Sequence, residues 1–262
     1  MAHKVRLLAG TLAIAIVASA CGSSSGSSAP TTAAPTTVAP TTTIPAVPKT
    51  SSDLFVSGTV KIPAGEPGTP SIVQMGTPRG TSGATVPVVV RNNTKDSLER
   101  VTVEGTIKAP DGSLVASGDS QSTMEPVVAN PGEYAIGYVY FSASPPAGAT
   151  YDLTVRGDKL SSHSFLSSIP IKVNKANVST DSIGFVSVVG TVVNETSNEV
   201  KGPISVTVVC FENNQPTVAD MTFTNADNLA AGAGSSFTAT FYSDTSSSSC
   251  NSFIAGSSGY NY

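Results

Sequence analysis

Tryptophan is absent from the 262-residue chain, histidine occurs twice, and charged residues make up only 12%. Each shortage excludes something. His3 lies in an N-terminal segment read below as removed, which leaves His163 as the histidine available to the remainder. A Ser-His-Asp triad would have to use it, and Ser162-His163-Ser164-Phe165 carries no nucleophile-elbow motif, so it reads as a loop or edge-strand residue. Zinc needs several nitrogen or sulfur ligands that the chain does not supply. The carboxylates are scattered: Asp96, Glu99 and Glu104 fall near a turn and an outer face, and Asp111-Gly112 reads as turn chemistry. No run of spaced Asp and Asn resembles a calcium loop. A glycosidase-type pair of acids converging from distant strands would lack the aromatic platforms that hold sugars. There is no basic patch and no glycine-rich phosphate loop, which argues against nucleic acids and nucleotides. No catalytic residue, metal or cofactor is therefore expected, and a hydrolase is the least favoured alternative. With so few charges, solvated faces must be built from Ser, Thr, Asn and Gly, as is common in exported β-rich proteins.

Long apolar runs are also scarce. The longest, residues 7–20, follows Lys4 and Arg6 and ends in small residues. That is the pattern of an export signal, too short to span a bilayer, which takes roughly 20 residues. The segment Val17-Ala18-Ser19-Ala20-Cys21-Gly22 resembles the lipobox of bacterial lipoproteins, with Ala18 where Leu is usual. The resemblance implies removal of residues 1–20, a diacylglyceryl group on Cys21, and anchoring to the outer face of the cell membrane through that lipid. The alternative is an ordinary secretory signal that leaves Cys21 as a free N-terminal thiol. Of the 14 Lys and Arg, loss of Lys4 and Arg6 leaves 12 against 18 acids, a net charge of −6. If Cys21 carries lipid, the odd cysteine count resolves into a pair, Cys210 and Cys250, suited to an oxidising compartment. A disulfide there would close a loop of about 40 residues and contribute ~4 kcal/mol. A reactive or metal-binding thiol pair is the alternative, without CxxC spacing or a nearby His to support it. Residues 21–52 hold the attachment site and a Ser-, Thr- and Pro-rich stretch, expected to be a disordered linker. Its Pro/Thr part would reach on the order of 60 Å as polyproline II.

After Ser52 no helix is evident, and period-2 apolar runs recur between Gly, Pro, Asn and Asp. The runs also repeat. VPVVVRNNTKDSLERVTVEGTIKAPDGS, from Val86, aligns with VVGTVVNETSNEVKGPISVTVVCFENNQ, from Val188. Val86, Val88 and Val90 match Val188, Gly190 and Val192; Val101, Val103 and Ile107 match Ile204, Val206 and Cys210. Each set shares one parity, hence one face, predicted to be the core. Further on, Phe141 matches Phe241. The predicted fold is all-β: two Ig-like or fibronectin-III-like sandwiches, at 53–170 and 171–262. If Phe141 faces inward, Tyr134, Tyr138 and Tyr140 share the outward face of their strand with Ile136. That stripe is the candidate surface for another envelope protein or a wall glycan. Packing against a neighbouring domain is the competing reading.

In the second unit, Gly190, Val192 and Asn194 are followed, after a turn, by Val208, Cys210, Phe211 and Glu212, and then by a turn at 229–232. This pattern resembles the FxLYD domain of bacterial lipoproteins, with Val208 at the family's Phe and Phe211-Glu212 at its Tyr-Asp. The resemblance covers roughly residues 180–245 and implies a non-catalytic extracellular sandwich. The sequence thus points to an envelope-anchored lipoprotein with a binding or structural role. A carbohydrate- or peptidoglycan-binding module is the alternative.

Overall fold

The computed structural model describes residues 54–80, 83–121, 124–160, 168–241 and 250–260. In the N-terminal half, β2 (Pro70–Met75), β3 (Ala84–Asn92) and β7 (Tyr134–Phe141) form one layer. The facing layer is β5 (Leu114–Asp119), β4 (Leu98–Lys108) and β8 (Thr150–Lys159), with the short β6 (Val128–Ala129) also on β4. The layers meet where the end of β5 pairs with the end of β7, Gly118 opposite Phe141. All pairings are antiparallel. The apolar sets read from the sequence do share one face: Val86, Val88, Val90, Val101, Val103, Ile107, Val139 and Phe141 lie in one buried cluster.

The C-terminal half repeats this plan. It comprises β9 (Ser168–Thr180), β10 (Val186–Val193), β11 (Val200–Glu212), β12 (Gln215–Phe223), β13 (Asn228–Leu229), β14 (Gly234–Phe241) and β15 (Ser252–Tyr260). Five of the six pairings of the first half have counterparts: β2–β3 in β9–β10, β3–β7 in β10–β14, β4–β5 in β11–β12, β4–β6 in β11–β13, and β4–β8 in β11–β15; the β5–β7 pairing has none among the described residues. Val188, Val192, Ile204, Val206, Cys210 and Phe241 occupy the equivalent core. One strand is used differently. β9 starts on β15, with Ile171 opposite Ser257, and continues on β10 from Lys172, so it belongs to both layers.

The repeat extends to a buried asparagine. Asn92 donates Nδ2 to the carbonyls of Asp96 and Ala129, both at 2.8 Å, and its Oδ1 accepts from Thr94 N (3.0 Å) and Thr94 Oγ1 (2.7 Å). Asn194 donates to Asn198 and Leu229 carbonyls at 2.7 and 2.9 Å and accepts from Thr196 N and Oγ1 at 3.0 and 2.7 Å. Each side chain closes the turn after its strand and ties it to the distant short strand, β6 or β13. A buried amide is stable only with its donors and acceptors paired, and both are.

A short strand, β1 (Phe55–Ser57), pairs with β15 and so joins the C-terminal sheet, although it lies in the N-terminal stretch of sequence. Its alternation explains this. Phe55 packs on the C-terminal core and stacks on Phe253 at 5.9 Å, while Leu54 and Val56 turn to a third apolar cluster.

That third cluster fuses the halves. Val89, Tyr134 and Ile136 of the N-terminal half pack with Val209, Phe211, Ala219 and Ile254 of the C-terminal half, with Leu54 beside them. β3, β7, β11 and β15 therefore bury apolar residues on both faces, which suits the unbroken runs Val88-Val89-Val90, Val208-Val209-Cys210-Phe211 and Phe253-Ile254-Ala255.

Candidate functional site

The tyrosine stripe lies in this joint. β7 points Ala135, Val139 and Phe141 into its own core and Tyr134, Ile136, Tyr138 and Tyr140 the other way, as parity requires. The outward face is nonetheless covered. Tyr134 is 3% exposed, Tyr138 is half-buried against the cluster, and Tyr140, at the end of the strand, is 42% exposed. Of the two readings of the stripe, packing against a neighbouring body describes Tyr134 and Tyr138: β11, β12 and β15 supply the apolar surface that they contact. Burial raises the Tyr134 hydroxyl above its usual range, with nearby Arg91 acting in the opposite direction. Arg91 is itself buried, 5.3 Å from the ring centroid of Tyr134, and donates from Nε to Gly132 O and from Nη1 to Ala64 O. Such a stacked, doubly hydrogen-bonded guanidinium suits a dry site. Burial raises Tyr138 too, reinforced by the charge of Asp220 on β12. Asp220 is in turn pushed up to about 6 by its own burial, against the pull of the Met221 amide.

Polar contacts stand at both ends of the apolar joint. At one, the two-residue turn Asn213-Asn214 has both residues at positive φ, the backbone that a tight β-hairpin demands and that asparagine tolerates. Asn214 O accepts from Gln74 Nε2 at 2.7 Å, and Asn214 Oδ1 accepts from Lys61 N at 3.0 Å. At the other end sits Glu125, 1% exposed. Its Oε1 accepts hydrogen bonds from Ser205 Oγ and Ser258 Oγ, both at 2.7 Å, on β11 and β15. Its Oε2 has no hydrogen-bond partner among the described residues. Burial pushes this carboxyl up to about 7, and the two serine hydroxyls only partly offset it. Glycine at 256 makes the approach feasible, since a Cβ there would fall 2.8 Å from Glu125 Cβ and 2.7 Å from Leu54 Cδ2. The sequence reading did not single out Glu125, Arg91 or the two serines. The joint that surrounds them is signalled in the sequence by the unbroken apolar run Val208-Val209-Cys210-Phe211 of β11.

Cys210 and Cys250 form a disulfide with Cα atoms 4.8 Å apart, and both are buried. The bond fastens the start of β15 to β11 at the position where the other half has Ile107 opposite Tyr151. Cys21, the export segment, the linker, His163 and residues 245–249 lie outside the described residues.

On the outer face of β4 and β8, a shallow polar depression is lined by Glu104, Thr106, Ser117, Asp119, Asp152 and Thr154. Arg156 Nη2 lies 2.5 Å from Glu104, and Lys108 Nζ 3.4 Å from Asp152. No group of three or more His, Cys, Asp or Glu is placed to hold a metal ion among the described residues. No protein-family model and no curated protein matches the chain.

Proposed function

We propose that this chain is a lipid-anchored protein of the bacterial envelope with a non-catalytic binding or structural role. On this reading its β-rich body is carried outside the membrane on the Ser/Thr/Pro-rich linker that follows Cys21, and its C-terminal half is an FxLYD-like module. The observation that carries the anchor is the lipobox-like segment ending at Cys21; the structural role rests on the joint, where Tyr134, Ile136, Val89, Val209, Phe211 and Ile254 make one apolar contact between two sandwich-like halves. A stiff body of that kind suits display and spacing at a surface. The buried Cys210–Cys250 bond adds support, because such bonds persist in oxidising compartments. The glycan-binding alternative needs an accessible aromatic stripe, and two of its three tyrosines contribute to the joint instead. Fractionation of cells expressing the chain tests the anchor. The wild-type chain is expected in the membrane fraction and reachable by protease added to cells whose wall has been removed. The Cys21→Ser variant is expected in the soluble fraction. Equal partition of the two chains would refute the anchor.

A further inference from the structure

The two halves differ at one edge. In the C-terminal half, β15 is hydrogen-bonded to β11 on one side and covered on the other by β1 and the start of β9, with Val56 opposite Ile254 and Ile171 opposite Ser257. Its counterpart, β8, pairs with β4 from Leu98–Lys159 to Lys108–Thr150, and among the described residues no strand pairs with its other edge. The open edge borders a groove toward β2, whose walls include Ser71, Ile72, Leu153 and Val155. An unpaired strand edge presents a row of N–H and C=O groups that another strand can complete. Tyr151, Leu153 and Val155 are half-buried against the core, so an added strand would extend both the sheet and the apolar layer.

Charge identifies the strand that fits. Along β8 the outward side chains are Thr150, Asp152, Thr154, Arg156 and Asp158. If two copies of β8 run antiparallel about Thr154, Asp152 of each copy faces Arg156 of the other, and Leu153 faces Val155. Moving the centre to Val155 sets Asp152 against Asp158; moving it to Leu153 sets both charges against threonines. Directly opposed cross-strand residues attract when opposite in charge and repel when alike, so the sequence selects the register at Thr154. The neighbouring strand agrees with this. Arg156 pairs with Glu104 and Asp152 with Lys108 within one copy, so charges across the seam alternate as Glu104, Arg156, then Asp152 and Lys108 of the second copy. Charges on an edge ordinarily deter pairing; here their order is self-complementary, as a two-fold interface requires.

We propose that β8 is a homodimer edge, joining two copies antiparallel about Thr154 into one continuous sheet. The test is sedimentation equilibrium on the full chain carrying Cys21→Ser, with circular dichroism and urea midpoints to verify folding. The parent is expected to show a concentration-dependent dimer. Asp152→Arg or Arg156→Asp alone should weaken it by about tenfold, because two symmetry-related pairs turn repulsive together. The double swap Asp152→Arg/Arg156→Asp should restore it. In the same background, Thr154→Cys should form a disulfide-linked dimer on mild oxidation, whereas Thr150→Cys, which faces Asp158, should not. The proposal is overturned by a chain that stays monomeric at its highest soluble concentration, by a dimer indifferent to the single swaps, or by a double swap that fails to restore pairing.

Discussion

Replacing Glu125 with glutamine keeps the shape of the side chain and an acceptor for Ser205 and Ser258, but removes the ability to ionise. In the folded protein this carboxyl is buried, its Oε2 has no hydrogen-bond partner among the described residues, and it titrates at about 7 instead of 4.5. The native state therefore holds a proton that the unfolded chain releases. The associated stability is fully present below pH 4.5, declines as pH rises from there to about 7, and is absent above. A rise of that size corresponds to about 3 kcal/mol. Urea unfolding of wild type and Glu125→Gln across pH 4 to 8.5 measures the effect. The difference between the two is expected to shift in favour of the variant by about 3 kcal/mol between the ends of that range, most of it from pH 4.5 to 7. Asp220, raised to about 6, adds a dependence of the same sign in both proteins, so it cancels from the difference. A difference that does not change with pH would show that folding does not raise the Glu125 carboxyl, and a variant that loses ground as pH rises would show that folding lowers it. Either result would mean that Glu125 is hydrated or paired in the folded state.

Three further outcomes follow from the packing. Phe211→Ala, which empties a fully buried position in the joint, should cost about 3–5 kcal/mol in urea unfolding; a separate transition left unmoved by the substitution would show that the halves unfold independently. Asn92→Ala and Asn194→Ala should each cost about 3 kcal/mol, since they leave the carbonyls of Ala129 on β6 and of Leu229 on β13, respectively, without that donor; a surface-like loss of a few tenths in denaturant titration would disprove the shared role. Cys210→Ala/Cys250→Ala should lower stability by about 4 kcal/mol, and the wild-type pair should resist alkylation in unfolded, non-reduced protein; labelling of both thiols would rule the bond out.

Much of the fold was legible because alternation is a physical signal. Val86, Val88, Val90, Val101, Val103 and Ile107 sit on one face because strands are pleated, and the repeat doubled that signal at Val188, Val192, Ile204, Val206 and Cys210. Parity also placed Tyr134, Tyr138 and Tyr140 on the face opposite Phe141. Parity cannot say what lies beyond that face. Its cover comes from Val209, Phe211 and Ile254, which interrupt the polar alternation of β11 and β15, and a strand buried on both sides reads as a plain apolar run. The placement of β1 was illegible for a related reason: three residues carry too little periodicity to show which sheet they join. Glu125 was hidden because its burial depends on Ser205 and Ser258, some eighty residues or more away in the chain.

Intact mass of the chain recovered from the membrane fraction reads out the anchor at Cys21. The expected mass is that of residues 21–262 plus a diacylglyceryl group, lowered by 2 Da for the Cys210–Cys250 bond. A chain that begins at Cys21 without lipid, or one that retains residues 1–20, would rule the lipid anchor out.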